Sequence, residues 1–204
     1  MEWELPPPKR IDALLSLYAS AMQKPFEIET TARQELQRDR LFPVLTPEQR
    51  DFYLCAALEI GERQAARCAG RDLDTLAAEL GASVWESDGD GVTAGTPVYA
   101  EYDAGIRRIT LYQAGIARLA CRLGSTLHEA DARRHARELL LAHELFHHME
   151  ATSLGPVHLT LPPVAVPFAG GLWRVQRRVL RTREIAAHSF AHTLLVWNDC
   201  LERG

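Results

Sequence analysis

The pentad His143-Glu144-Leu145-Phe146-His147 constrains this chain more than any other stretch of it. Two histidines four residues apart, with a glutamate beside the first, work together only on a helix. At roughly 100° per residue, positions i and i+4 lie about 40° apart around the axis, so both imidazoles leave one face. From that face they can reach a single ion about 2 Å from each ring nitrogen. Glu144 sits about a quarter-turn away. It cannot easily ligate the same ion, but it can touch water bound there, which is the general-base position of a zinc hydrolase. Leu139, Leu140, Leu145 and Phe146 give the segment an apolar side to lay against a sheet. The pentad therefore predicts a long helix. Thr126 and Glu129 form a candidate capping box at its start, and Gly155-Pro156 stops it after about Ala151.

Two histidines are too few for a zinc site, so a third ligand is required. The metzincin continuation fails, because Glu150 stands where glycine is wanted and Ser153 where histidine is wanted. A downstream helix supplies a better source. Glu184, His188 and His192 form one stripe at i, i+4 and i+8. Glu184 would complete a His₂Glu set with one position open for water, and His188 is the alternative ligand. The bland reading of Glu184 is a surface ion pair with the arginines before it. His188 is otherwise a candidate for stabilising a transition state or for holding a ligand from behind; Tyr99, Tyr112 and His192 are further candidates for an oxyanion donor. His148 lies about 100° from His147 and is expected to be exposed, whereas Glu150 falls near the ligand face. Arg174, Arg177, Arg178, Arg181 and Arg183 read as a solvated helix face or as a dock for an acidic substrate segment. Trp173 and Trp197 are expected in the core.

The rest of the chain frames this pair of helices. Its 204 residues predict one domain, or one domain with a small appendage. Residues 1–70 read as an N-terminal helical extension. They hold helical spacing over Ile11–Gln23, a polar stretch over Glu29–Arg40, and a helix from Thr46-Pro47 to Gly70 with a Thr46/Gln49 capping box. A short helix over Asp72–Leu80 follows. Then come a strand at Ala82–Glu86 and a β-hairpin from Val98–Tyr102 and Arg107–Tyr112. A helix covers Gln113–Arg122. A proline-rich loop with a short strand at His158–Leu161 leads into a last helix over Gly171–Leu201. This order, helices then a small antiparallel or mixed sheet then helices, is an α+β arrangement. A net charge of −4 argues against a general nucleic-acid binder. The four cysteines form no C-x-x-C pair and fit a reducing compartment with buried or inert thiols. No signal peptide and no membrane-length apolar run is evident, so a cytoplasmic protein is expected.

The residues resemble those of a known family. Leu76–Val84, the Tyr99–Tyr112 hairpin, the HExxH of His143–His147 and Glu184-Ile-Ala-Ala-His-Ser-Phe-Ala-His occur in the order found in the ImmA/IrrE zinc metallopeptidases. These are a gluzincin-like group of bacterial regulators, many carried by phages and mobile elements. The resemblance covers about residues 71–197. Phe146 stands where the family usually has glycine, and His188 where it has asparagine. The resemblance implies a zincin-like metallopeptidase domain over 71–204, with His143, His147 and Glu184 as Zn²⁺ ligands and Glu144 as catalytic base. It also fits a regulatory endopeptidase that cleaves a protein or peptide partner, such as a transcriptional repressor; the charge and the lack of a secretion signal or apolar span add the expectation of an intracellular protein without direct contact to nucleic acid or membrane. A second class stays open here: a zincin-fold module, weak or inactive in catalysis, that acts by binding its partner. A third is a metal hydrolase acting on a non-peptide amide.

Overall fold

A computed structural model describes residues 28–93, 96–123, 128–168 and 173–202. The expected helix over Ile11–Gln23 and the capping residue Thr126 lie outside them. The described chain is α+β, with seven helices and small sheets.

Helix α1 (Ile28–Gln37) and a 3₁₀ turn at Phe42–Val44 precede α2 (Pro47–Cys68). The Thr46/Gln49 capping box opens α2 as expected, with Thr46 Oγ1 accepting the Gln49 N–H at 3.2 Å and Gln49 Oε1 accepting the Thr46 N–H at 3.0 Å. Helix α3 (Leu73–Glu79) is capped by Asp72, which accepts the Thr75 N–H at 2.8 Å. Strands β1 (Ser83–Ser87), β4 (Ala100–Asp103) and β5 (Arg108–Tyr112) form a mixed sheet in the order β1-β5-β4. The expected hairpin is the antiparallel β4–β5 pair, and β1 lies parallel to β5. A two-residue ribbon, β2 (Val92–Thr93) and β3 (Thr96–Pro97), stands apart from it.

Strand alternation gives this sheet one dry face. Ile109 and Leu111 are fully buried, while Trp85 and Glu101 on the opposite face are exposed. Helix α4 (Gln113–Leu123) follows β5 directly, and α5 (Glu129–Met149), which carries the pentad, packs on β4 and β5. A turn of π-helix, Glu150–Leu154, extends α5 until Gly155 leaves the helical region at φ 74°.

Three sequence expectations fail beyond this point. Residues 157–160 form a helical turn, α6 (Val157–Thr160), where a strand at His158–Leu161 was expected. Pro156 sits at its N-cap, and Thr160 Oγ1 bonds back to the Val157 carbonyl at 2.8 Å. The segment expected to begin the last helix instead forms a hairpin, β6 (Val164–Phe168) and β7 (Trp173–Arg177). Val164, Val166 and Val175 alternate on one side of that ribbon, a β-branched pattern that outweighs the helical spacing of the arginines. Helix α7 therefore begins only at Thr182 and runs to Glu202. Trp173, expected in the core, is 69% exposed because it lies on the hairpin.

Helices α2 and α7 pack closely. A Cβ on Gly61 would stand 2.3 Å from the Ala186 carbonyl oxygen and 2.7 Å from the Phe190 nitrogen, so only glycine admits this approach. Ala57 and Ala65, one turn to either side, keep the contact shallow. Ser189 adds a hydrogen bond to the Leu58 carbonyl at 2.8 Å. Residues of α1, α2 and the segment after Gly70 thus share one core, from Ala32 and Leu54 to Leu145 and Leu194. The cysteines are free thiols, Cys55 and Cys121 being exposed.

Candidate metal centre

The two histidines of the pentad meet as helix geometry requires. His143 Nε2 and His147 Nε2 are 3.2 Å apart. Glu184, in the first turn of α7, brings Oε2 to 3.5 Å from the first and 3.6 Å from the second. Ligand atoms about 2.0–2.1 Å from a tetrahedral zinc ion stand about 3.3–3.4 Å from one another. These three atoms span three corners of such a figure, and a point about 2 Å from each lies between them. His143, His147 and Glu184 could thus hold a metal ion.

Charge and burial shape the trio. Burial works against ionisation of Glu184, but the facing His143 and His147 outweigh it and hold the carboxyl well below the usual carboxylate range. Burial likewise disfavours a charged His147, yet hydrogen bonds to Glu150 and Glu184 win and push it up to about 9. This donor set favours positive charge at its centre, which a cation can supply in place of protons.

Glu144 is buried, and among the described residues no hydrogen-bond donor reaches its carboxylate. Its charge acts on His147. A buried carboxylate without a protein partner keeps its oxygens for an incoming proton donor.

Glu150 supports His147 from behind. Its Oε2 lies 2.9 Å from His147 Nδ1. A carboxylate only accepts, so Nδ1–H donates, and once an ion replaces the second proton it is the Nε2 lone pair that faces it. Glu150 is itself held by the Val157 N–H at 2.9 Å and by Arg183 Nε at 3.2 Å. Burial raises its pKa, but His147, the Val157 N–H and Arg183 together bring it below the ordinary value. Sequence reasoning placed Glu150 near the ligand face but read Arg183 only as part of a solvated face or an acidic dock, whereas it bonds Glu150. Its signal was its place beside Glu184.

His188 lies one turn beyond Glu184, with its ring centre 4.6 Å from that of His143. It stands beside the ligand trio, not within it. Burial first, and then the neighbouring His143, push its pKa down to about 3, so it is neutral. Tyr112 is engaged elsewhere, donating to Glu101 at 2.7 Å. Tyr99 is half-buried, with its backbone pressed against Gly115, and His192 is half-buried one further turn along α7.

His148 corrects an expectation, being fully buried. Its Nε2–H donates to the Leu80 carbonyl at 2.9 Å, and its Nδ1 accepts from the Tyr102 hydroxyl at 3.0 Å. One imidazole thereby ties α5 to β4 and to the end of α3. Phe146 packs its fully buried ring 5.5 Å from that of Phe190, joining the two helices that carry the trio. Among the described residues no helix is long and apolar enough to cross a membrane. Comparison with models of known protein families, with curated proteins and with solved structures found no match to this chain.

Proposed function

We propose that this chain is a zincin-like zinc metallopeptidase of the HExxH…Glu type, related to the ImmA/IrrE group and acting on a protein partner in the cytoplasm. The observation that carries the reading is the convergence of His143 Nε2, His147 Nε2 and Glu184 Oε2 on one point, with Glu144, whose charge acts on His147, buried on the same helix and without a hydrogen-bond donor among the described residues. Bound zinc would polarise a carbonyl oxygen and lower the pKa of a coordinated water. Glu144 takes a proton from the attacking water and returns it to the leaving amine nitrogen. Glu150 and Arg183 fix the tautomer and tilt of His147. His188, neutral and against His143, limits that ring's rotation. Strand β4, on the outer edge of its sheet and packed on α5, offers backbone groups to an extended substrate. A narrow, regulatory specificity and a repressor-like substrate follow from the family resemblance.

Elemental analysis tests the reading. The wild type should carry about one zinc per chain, and His143→Ala and Glu184→Ala should each lose it. Glu144→Gln should keep the metal and lose about 10²–10⁴-fold in cleavage of a peptide library. A wild type that takes up no metal after reconstitution would overturn the enzyme reading and favour a partner-binding module.

A further inference from the structure

The observations carry furthest at the β6–β7 hairpin. We propose that strand β7 is a docking edge for an extended, acidic segment of a partner protein.

Charge distribution is the first ground. Residues 151–183 contain five arginines and no aspartate or glutamate, in a chain whose net charge is −4. The structure divides these arginines by role. Arg178 donates to the Leu159 and Leu161 carbonyls, Arg181 to Glu35, and Arg183 to Glu150. Arg174 and Arg177 are exposed on β7 and have no hydrogen-bond or ion-pair partner among the described residues. Two solvated guanidinium groups on a short strand, with no intramolecular anion beside them, suit carboxylates from outside.

The edge itself is the second ground. Strands β6 and β7 make a sheet of only two strands. On β6, Val164 is buried and Pro167 lacks an N–H, so that strand is a poor template. On β7, four of five residues are exposed and none is proline. Its outer backbone groups can therefore pair with an added strand. Alternation sets what that strand must carry. Trp173, Val175 and Arg177 share one face, and Arg174 and Gln176 the other. An incoming strand meets an aromatic and a cation on one side and a cation on the other. Apolar residues and carboxylates in extended sequence complement this pattern. The arginines stand on both faces of a ribbon instead of forming one stripe, which favours a strand over a nucleic-acid backbone as occupant. Glu184 follows Arg177 by seven residues along the chain. Docking requires neither a metal nor Glu144, and the inference stands apart from hydrolysis.

Fluorescence anisotropy tests it, on the full chain at physiological salt. The probe is a labelled short peptide alternating glutamate and valine. The wild type should bind it, Arg174→Glu/Arg177→Glu should weaken binding at least about tenfold, and Trp173→Ala should weaken it several-fold. N-methylation of alternate peptide residues should abolish binding in one register and spare it in the other, because an added strand turns only every second N–H toward its neighbour. Circular dichroism and metal content should match the wild type in all variants, which separates failure here from failure of the metal reading. Three results would overturn the proposal: no binding to wild type, equal binding by the variants, or equal tolerance of both N-methylated registers. Tighter binding of an oligonucleotide than of the peptide would also overturn it and assign the arginines to nucleic acid.

Discussion

The two halves of the candidate metal centre are built in different ways. His143 and His147 come from one helix, and their 3.2 Å approach follows from four-residue spacing. Glu184 comes from a helix that must be brought in and held. Asp39 Oδ2 accepts the Arg181 N–H at 2.9 Å just before α7 begins, and Glu35 pairs with the Arg181 side chain at 3.4 Å. Gly61 and Ser189 seat α7 against α2, and Phe190 seats it against Phe146. The histidine pair is thus a local product of sequence, whereas the third candidate ligand is a tertiary product. Residues 35–61, outside the family resemblance, are among those that place it.

Damage to the contact between the ligand helices should have the largest effect. Phe146→Ala removes a fully buried ring from that contact and should cost about 3–5 kcal/mol of stability, read as a fall in the urea midpoint. Any metal held by the trio should bind more weakly because Glu184 loses its backing. Stability within about 1 kcal/mol of wild type would show that Phe146 is not the link between the helices. Gly61→Ala comes next. Its Cβ meets backbone atoms that cannot yield, so α7 must shift, at roughly 1–3 kcal/mol. The comparison predicts that Gly61→Ala lowers metal affinity although Gly61 touches no ligand. Unchanged affinity would mean that Glu184 is held by its own turn and by Asp39 alone.

This contrast also sorts what was legible in the sequence. The pentad, the Glu184 stripe, the capping box of α2 and the β4–β5 hairpin rest on short-range periodicity and turn chemistry, and they could be read. The β6–β7 ribbon could not, because its valines are interleaved with arginines at helical spacing and the local signals conflict. His148 was misplaced for a related reason. Helical angle alone turns it from the ligand face, but the sheet and the end of α3 close over that side. Burial by a partner element is a tertiary fact that one-helix geometry does not contain.

Glu150→Gln probes the local half in isolation. The change removes the charge behind His147 and leaves the α2–α7 seat intact. Metal affinity should fall about 10–100-fold in chelator competition, with the urea midpoint nearly unchanged. An unaltered affinity would deny Glu150 any part in orienting His147.

Ser189→Ala should have the smallest effect, and it is the sharpest control. The hydroxyl donates to the Leu58 carbonyl at 2.8 Å, within the interface that Gly61 closes. Alanine fits the same space without a clash, so only the hydrogen bond is lost, at about 1 kcal/mol. The seat keeps its shape and Glu184 keeps its place. Stability should therefore fall slightly while metal affinity stays at the wild-type value, opposite to Glu150→Gln on both readouts. If Ser189→Ala weakened metal binding as much as Gly61→Ala, the helix seat would depend on that bond and not on close approach. The distinction between a locally built pair and a docked third ligand would then rest on one hydroxyl, and the shape of the α2–α7 interface would cease to explain it.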